Sequence, residues 1–252
     1  MAYLKRSQAP KFWPIKRKGI KFTVKSSPGP HALHGSMPLM IIVRDILKFA
    51  DNSREAKTII KQGKILVDKA PRKEHNFPVG LMDAIEIPDA KKYMRIVAGE
   101  KGLKLIDIDQ AEASKKICRI QNKMIVKNGL TQLNLHDGRN ILTEAKGYST
   151  GDSLLIQLPG QNILEHYNMA EGSPAVIIGG KNMGTEGRIA KIFERKTLLE
   201  TRKAIIETDG NNKIETLRDY IIVTGSRKAE NPSTSPEEPD KQQKKPKAAP
   251  KK

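Results

Sequence analysis

The chain of 252 residues is long enough for two or three small domains, and its 46 Lys and Arg against 28 Asp and Glu give a net charge of +18. Its only cysteine, Cys118, excludes a disulfide framework and a cysteine-based zinc site. Apolar runs of five or six residues exclude a membrane-spanning helix, and the basic N-terminus lacks the apolar core of a secretory signal, so we expect a cytoplasmic protein with no membrane partner.

Residues 1–36 are predicted to form a basic, extended arm. They contain eight Lys and Arg and no acidic residue, and prolines and glycines interrupt any regular period. Phe12, Trp13 and Ile15 give the arm apolar anchors that a disordered tail seldom has. We therefore expect the arm to lie on a folded body and to present its charge to a polyanion, most often nucleic acid. Its candidate binding cations are Lys5, Arg6, Lys11, Arg17 and Lys18.

Residues 37–88 are predicted to form a compact unit of two short helices and a hairpin. From Leu39 to Ala50 the apolar side chains share one helical face, and the first turn is apolar nearly all round. The N-terminal arm is the nearest segment that can cover this turn. A second helix is predicted to start at Asn52, with Glu55 completing a capping box, and to stop at Gly63.

The second helix also carries a basic face apart from its buried stripe. Arg54, Lys57 and Lys61 lie within about 60° of one another at helical spacing. Strands are expected at Lys64–Val67 and Ala84–Ile87 on either side of a turn and a basic pair. The candidate RNA-binding cations of this unit are Arg44, Lys48, Arg54, Lys57, Lys61, Lys64, Lys69, Arg72 and Lys73.

The rest of the chain is predicted to form two β-rich units, at residues 89–170 and 171–226, followed by a disordered tail at 227–252 that is rich in Lys and Pro. Turns are expected at Asn128-Gly129 and Asp137-Gly138. The predicted strands are Leu103–Ile108, Lys116–Val126, Leu130–Leu135, Ser153–Leu158, Ala175–Ile178, Arg188–Phe193, Leu198–Glu207 and Tyr220–Val223.

No catalytic, metal or cofactor motif is recognisable in the sequence. The five histidines are scattered, and Cys118 lies in an apolar strand pattern typical of an inert core thiol. The glycine-rich segment 179–187 is followed by a strand and not by a helix, so it does not fit a phosphate-binding loop. We predict a non-enzymatic protein with no cofactor and no small-molecule substrate. The segment is instead predicted to be a tight turn, with Lys181 at its tip and Gly179, Gly180, Gly184 and Gly187 as structural glycines.

Aromatic residues are scarce: the chain has five Phe, five Tyr and one Trp. Binding of single strands by base stacking requires more aromatic platforms than this. The composition therefore favours recognition of folded RNA through its phosphates and its shape.

Two segments resemble known RNA-binding modules. Ala175–Ile178, the loop Gly179–Gly187 and Arg188–Ile192 resemble the KOW element of SH3-like barrels in ribosomal proteins and transcription factors. Asn52–Lys57 and Lys61–Asp68 resemble the alpha-L RNA-binding domain, which clamps structured RNA. The resemblance implies a multidomain, mostly β protein of the α+β class, with an alpha-L unit, a central β domain and a C-terminal barrel.

The order of these parts narrows the family. The basic arm, the alpha-L unit, Phe77–Asp83, the KOW loop and Tyr220–Gly225 together resemble the archaeal and eukaryotic (e-type) counterpart of ribosomal small-subunit protein four. This resemblance implies a structural constituent of the small ribosomal subunit, with small-subunit rRNA and neighbouring ribosomal proteins as partners.

Two alternatives remain open from the sequence. An RNA-modifying enzyme can use an alpha-L unit for targeting, but residues 88–225 lack a recognisable nucleophile or cofactor loop. A free transcription or translation factor can carry a KOW barrel, but it has no need of a long basic arm.

Overall fold

The computed structural model describes residues 3–126, 129–144, 147–193, 197, 200–208, 210 and 212–225. In this part of the chain, two short α-helices accompany antiparallel strands that form three five-stranded sheets and two two-stranded ones. The predicted fold class, α+β and mostly β, is confirmed. No helix among the described residues is long and apolar enough to span a bilayer.

The N-terminal arm lies on the folded body, as its apolar anchors predict. Strands β1 (Leu4–Lys5) and β2 (Phe22–Thr23) pair antiparallel and close the arm into a loop. Trp13 is only 2% exposed and packs into the same apolar core as the first helix. Its indole N–H donates to the carbonyl of Ser36 at 2.8 Å, so burial leaves its polar atom satisfied.

The first helix is shorter than its sequence pattern predicts. Helix α1 (Leu39–Ile41) continues into one π-helical turn, Ile42–Ile46, and the expectation of a helix as far as Ala50 is wrong. Every residue from Leu39 to Val43 is buried, so packing on all sides determines the geometry here. Lys48 has a φ of +55°, a left-handed conformation that a continuing helix cannot contain.

The second helix, α2 (Ser53–Lys61), matches its predicted boundaries. The capping box between Asn52 and Glu55 is formed at its N-terminus. Gly63 follows its C-terminus with a φ of +74°, as expected of a helix stop. Ala56 and Ile60 are buried, whereas the basic residues of the helix remain exposed.

The first large sheet has the strand order β5-β4-β7-β8-β9, and a two-stranded sheet of β3 and β6 lies beside it. Asp68 and Lys69 have φ values of +53° and +64° and form the two-residue turn between β4 and β5. Strand β8, which the sequence analysis missed, pairs with β7, so the sheet continues past residue 88. The strands are β3 (Ser36–Pro38), β4 (Leu66–Val67), β5 (Ala70–Pro71), β6 (Pro78–Gly80), β7 (Ala84–Ile87), β8 (Lys92–Gly99) and β9 (Gly102–Asp107).

The second large sheet has the order β12-β11-β10-β13-β14, with the long β10 at its centre. Cys118 is fully buried in its core, in agreement with an inert thiol. The predicted turn at Asp137-Gly138 joins β11 to β12, whereas Asn128 of the other predicted turn lies outside the described residues. The strands are β10 (Lys115–Ile125), β11 (Thr131–Leu135), β12 (Asn140–Thr143), β13 (Ser153–Gln157) and β14 (Asn162–Tyr167).

The third large sheet has the order β18-β17-β16-β15-β19, an SH3-like meander in which the last strand returns beside the first. Strand β17 begins at Lys203, later than the predicted Leu198, which lies outside the described residues together with the tail at 227–252. The strands are β15 (Pro174–Ile177), β16 (Glu186–Ile192), β17 (Lys203–Glu207), β18 (Lys213–Leu217) and β19 (Ile221–Val223).

A small apolar cluster joins the three large sheets. Leu81 and Met82 from the first sheet unit pack against Ile117 and Leu155 of the second and Ile222 of the third. Burial of apolar surface stabilises this junction by about 25 cal/mol per Å². The relative orientation of the three units is therefore set by packing within one core.

Candidate nucleic-acid interface

A buried charge cluster lies where the arm, the two-helix unit and the central sheet meet. Lys116 of β10 is 0% exposed, and its ammonium group lies 2.7 Å from Asp68, 2.6 Å from Asp83 and 3.0 Å from Asp137. The guanidinium of Arg139 lies 2.8 Å from Asp68 and 3.1 Å from Asp137. Three carboxylates and two cations thus neutralise most of one another away from water.

These contacts stabilise the charged forms of the cluster. Burial alone would raise the pKa of Asp83, but the Lys116 charge and a hydrogen bond from His31 hold that pKa well below its usual range. Burial also opposes the charge on Lys116, yet the facing Asp83 and Asp68 raise its pKa well above normal. The backbone N–H groups of Gly80 and Ala84 donate to Asp83 and Asp68. The cluster is therefore ionised at neutral pH and serves as a structural joint.

Two histidines border the cluster. The His31 ring of the arm lies 3.0 Å from the Asp83 carboxylate, which ties the arm to the two-helix unit. Burial and the Lys116 charge lower the pKa of His136 to about 4, so this ring is neutral at pH 7. Its Nδ1 accepts from the Arg119 N–H at 3.1 Å, which assigns the proton to Nε2, facing the Leu81 carbonyl.

Two arginines join the central sheet to the C-terminal sheet. Arg119 of β10 donates to both the carbonyl and the carboxylate of Asp219, the latter at 2.9 Å. Arg218 donates to the carbonyl of Thr150 on the central unit. Because both guanidinium groups bond across the junction, they fix the turn at 218–220 that precedes β19.

Part of the predicted set of RNA-binding cations makes contacts within the protein. Arg17 donates to the carbonyls of Arg6, Ala9 and Pro10, and Arg6 donates to those of Lys16 and Phe22, so these arginines hold the arm in shape. In the two-helix unit the engaged cations are Arg44 with Asp45, Lys64 with Asp89, Lys69 with Glu86, and Arg72 over the Phe77 ring.

The other predicted cations are exposed. Within the described part of the chain, none of them forms an ion pair with a carboxylate closer than 4.0 Å. They are Lys5, Lys11, Lys18, Lys48, Arg54, Lys57, Lys61, Lys73 and Lys181. The arm thus uses Arg6 and Arg17 for structure and leaves Lys5, Lys11 and Lys18 exposed to solvent.

The C-terminal end of α2 brings three of the exposed cations together. Burial lowers the pKa of His75, and the charges on Lys57 and Lys61 lower it further. The Lys73 side chain passes over the end of the helix, 3.5 Å from the position of a β-carbon on Gly63. The arm runs beside this surface, because the N–H of Ser27 donates to the carbonyl of Asn76 at 2.9 Å. Cations that are distant in sequence therefore share one surface.

The turn between β8 and β9 brings the arm close to the glycine-rich loop. The Phe12 side chain packs against Gly102, where a β-carbon would overlap it. On the other side, a β-carbon on Gly184 would lie 2.7 Å from the carbonyl carbon of Gly99. The arm segment that carries Lys11 and the loop segment that carries Lys181 therefore both contact the turn between β8 and β9.

The predicted structural glycines make close contacts within the protein. Gly184 has a φ of +86° and packs against backbone, and a β-carbon on Gly187 would lie 2.7 Å from a methyl group of Ile206. Gly179 and Gly180 lie beside the Tyr220 ring. Each of these sites has too little room, or an unsuitable backbone conformation, for a side chain.

Sequence reasoning missed the buried charge cluster. One signal was present: Lys116 alternates with the apolar residues Cys118 and Ile120 on one face of β10. A lysine at such a position requires a buried carboxylate partner. The identity of the partners, which come from three separate turns, has no local signature.

A basic arm, a two-helix unit with exposed cations on α2, and an SH3-like sheet with a glycine-rich loop define a multidomain protein of the RNA-binding class. Family models match three stretches of the chain: the RS4NT (NUC023) domain at residues 3–34, the S4 domain at 37–85 and ribosomal family S4e at 90–163.

Curated relatives cover nearly the whole chain. Small ribosomal subunit protein eS4 of Methanothermobacter thermautotrophicus is 47% identical over 225 residues, which is 88% of this chain and 92% of that protein. The protein of the same name from Methanococcus aeolicus is 44% identical over 235 residues, covering 90% and 95%. The crystal structure of 30S ribosomal protein S4e from Thermoplasma acidophilum superposes with a TM-score of 0.66 at 31% identity, over 76% of this chain and 96% of that one. The chain belongs to the ribosomal protein S4e family.

Proposed function

We propose that this chain is a structural, non-enzymatic constituent of the small ribosomal subunit that binds folded rRNA through phosphate and shape contacts. Its partners are small-subunit rRNA and neighbouring ribosomal proteins, and its place is the cytoplasmic ribosome. Family membership and the S4 domain support this proposal. The proposal requires neither a cofactor nor a small-molecule substrate.

The observation that carries the proposal is the division of the cations into two groups. Arg6 and Arg17 are engaged with backbone carbonyls, and Lys116 is engaged with buried aspartates. Lysines of the arm and of α2 remain exposed on a surface that is already folded. Such a surface neutralises phosphates without first having to become ordered.

The anchoring of the arm by Trp13 matters for the mode of binding. A free basic tail loses conformational freedom when it binds, whereas an arm held by Trp13 and two arginines loses less. The arm lysines, Lys5, Lys11, Lys16 and Lys18, are therefore presented at fixed positions that can match the phosphates of one folded RNA.

The test is co-sedimentation with small ribosomal subunits at rising salt concentration. The structural constituent remains bound at salt that removes a factor, because many phosphate contacts act together with shape complementarity. Loss of the chain at low salt would favour a transcription or translation factor. Co-purification of a base-modifying activity would favour the enzyme alternative.

A matched pair of variants separates the arm charges from the arm fold. Deletion of the arm would also remove Trp13 from the core, so substitution is the sharper experiment. Changing Lys5, Lys11, Lys16 and Lys18 to Gln should flatten the dependence of log K on log[salt] by about three. Changing Lys91, Lys92, Lys104 and Lys213 to Gln removes the same number of exposed charges outside the arm and should leave the slope closer to that of the wild type, so it serves as the control.

A further inference from the structure

A cavity of about 420 Å³ opens beside the glycine-rich loop of the C-terminal sheet. This volume falls in the range of about 300–1,000 Å³ that is typical of ligand-binding pockets. Its wall combines the loop residues Gly180 and Lys181, the strand residues Lys203 and Glu215, and the ring of Tyr220. The cavity thus contains an aromatic ring, two cations and a carboxylate.

The Tyr220 ring lies against the backbone of the two loop glycines. A β-carbon on Gly179 would lie 2.9 Å from the ring, and one on Gly180 would lie 3.6 Å from it. Tyr220 as a whole residue nevertheless remains 39% exposed. The glycine pair therefore supports the ring from below and leaves the rest of its surface open to the cavity.

The backbone that carries this ring is held in place before any ligand binds. The N–H of Ile178 donates to the Tyr220 carbonyl at 2.7 Å. The neighbouring Asp219 is held by Arg119 across the junction with the central sheet. A ring carried on a backbone that is already held at residues 219 and 220 loses less conformational freedom on binding.

The polar groups of the cavity determine what can occupy it. Lys181 is exposed and forms no ion pair with any described carboxylate. Lys203 is already balanced by Glu215 at 2.7 Å, and both side chains are more than half exposed. Glu215, when ionised, can only accept hydrogen bonds. The wall also includes Asn182 and Thr216, whose side chains can donate as well as accept and so suit many polar edges. Tyr220, Lys181 and Glu215 are the more selective groups, and together they favour an occupant with a flat ring, an anionic group and N–H donors on one edge.

A nucleotide of RNA offers these three features together. Base stacking on an aromatic side chain contributes about 1–3 kcal/mol per base, and an unpaired base has a free edge for hydrogen bonding. Guanine presents two adjacent N–H donors on its Watson–Crick edge, which match the two oxygens of a carboxylate. Each other base places an acceptor beside its donor on that edge, and this acceptor would face the carboxylate.

We propose that this cavity binds a single unpaired guanine nucleotide of rRNA, stacked on Tyr220, with its phosphate at Lys181 and its base edge at Glu215. This inference rests on the proposed rRNA-binding function and adds a contact that depends on base identity. The remainder of the surface contacts phosphates, so this site is where the chain distinguishes one nucleotide from another.

The first experiment compares Tyr220→Ala with Tyr220→Phe in the full chain bound to small-subunit rRNA. Phenylalanine keeps the stacking surface, so the Phe variant should bind as the wild type does and should crosslink to RNA at position 220 under ultraviolet light. The Ala variant should bind about fivefold or more weakly and lose that crosslink. Melting temperatures equal to that of the wild type would show that both variants remain folded.

The second experiment tests the base. Crosslinking at Tyr220 is measured with a twelve-residue uridine oligomer that carries one central guanosine, and with the matched oligomer that carries adenosine. The guanosine oligomer should crosslink more, and Glu215→Gln should remove the difference. Equal crosslinking to both oligomers by the wild type would overturn the preference for guanine.

The outcome also separates this site from the general function. If Tyr220→Ala binds rRNA as tightly as the wild type and keeps its salt-resistant co-sedimentation, the nucleotide site is wrong while the ribosomal function stands. If the wild type itself fails to co-sediment, the ribosomal function is wrong.

Discussion

The buried cluster around Lys116 and the exposed face of α2 use the same kind of side chain in opposite ways. Lys116 is enclosed by three carboxylates, and every one of its ion pairs connects separate parts of the chain. Lys57 and Lys61 on α2 face solvent, and their charges act with burial, the larger cause, to lower the pKa of His75. One region uses positive charge to hold the protein together, and the other leaves it available to a polyanion.

This difference shows that net charge overstates the number of cations that remain exposed without an ion pair in the described part of the chain. Arg44, Lys69 and Arg72 look like binding residues in the sequence, yet each has a partner within the folded chain. A cation that is already paired releases few counterions when it approaches a phosphate. Its removal is therefore expected to affect stability more than affinity.

The largest expected effect comes from Lys116→Met. The substitution leaves Asp68 and Asp137 with Arg139 and leaves Asp83 with His31 alone, and loss of one partner of a buried ion pair costs about 3–5 kcal/mol. Chemical denaturation should show this loss in the free energy of unfolding. Lys104→Met, an exposed site on β9, should change it by about 0.5 kcal/mol or less. Similar losses of unfolding free energy in both variants would show that the cluster has no structural role.

The second effect is the pH dependence of stability. The pKa of His136 is about 4 in the folded chain against 6.5 for the free side chain, so the unfolded state binds the proton more readily. The contribution of His136 to the free energy of unfolding should therefore be fully present above pH 6.5 and should fall by up to about 3 kcal/mol as the pH drops to 4. The measurement is the free energy of unfolding across this range.

Other groups with shifted pKa values also contribute to the pH dependence of stability. The pKa of His75 is also lowered, so His75 contributes to the pH dependence in the same direction as His136. The lowered pKa values of Asp83 and Asp137 contribute stability at neutral pH, and this contribution is lost only when the pH falls below about 4. The difference between the wild type and His136→Gln isolates the one ring. The variant should show a shallower slope between pH 6.5 and 4, and an unchanged slope would exclude His136.

The third effect concerns the contact between the glycine-rich loop and the β8–β9 turn. Gly184→Ala places a β-carbon against backbone at a φ of +86°, and we expect a loss of about 1 kcal/mol or more. Gly147→Ala, where a β-carbon meets nothing within 4 Å, is the matched control. Thermal unfolding of the two variants measures the difference, and equal melting temperatures would mean that the loop does not depend on this contact.

Local patterns in the sequence predict the local structure well. The capping box at Asn52 and the stop at Gly63 set the bounds of α2, and the burial of Trp13 follows from an anchor in a basic arm. The α1 segment shows the limit of such patterns, because it is buried on all sides and periodicity alone extends it too far. Enclosure by other segments is a property of the tertiary fold.

The interface is harder to predict than the fold. Exposure of Lys57 follows from its position on a helix, but the pairing of Lys64 with Asp89 depends on where a distant turn lies. The partners of Lys116 come from turns at 68, 83 and 137, which only the folded chain brings together. Charge in a sequence therefore indicates the class of partner before it indicates the residues.

The decisive measurement compares two triple variants of the two-helix unit in one salt series with small-subunit rRNA. Arg54→Gln, Lys57→Gln and Lys61→Gln remove exposed cations, whereas Arg44→Gln, Lys69→Gln and Arg72→Gln remove cations that have partners in the folded chain. The exposed triple should flatten the slope of log K against log[salt] by about two and leave stability nearly unchanged. The paired triple should change the slope by about one or less and lower the free energy of unfolding. Equal slopes, or a larger change for the paired triple, would contradict the division of the cations into structural and binding sets.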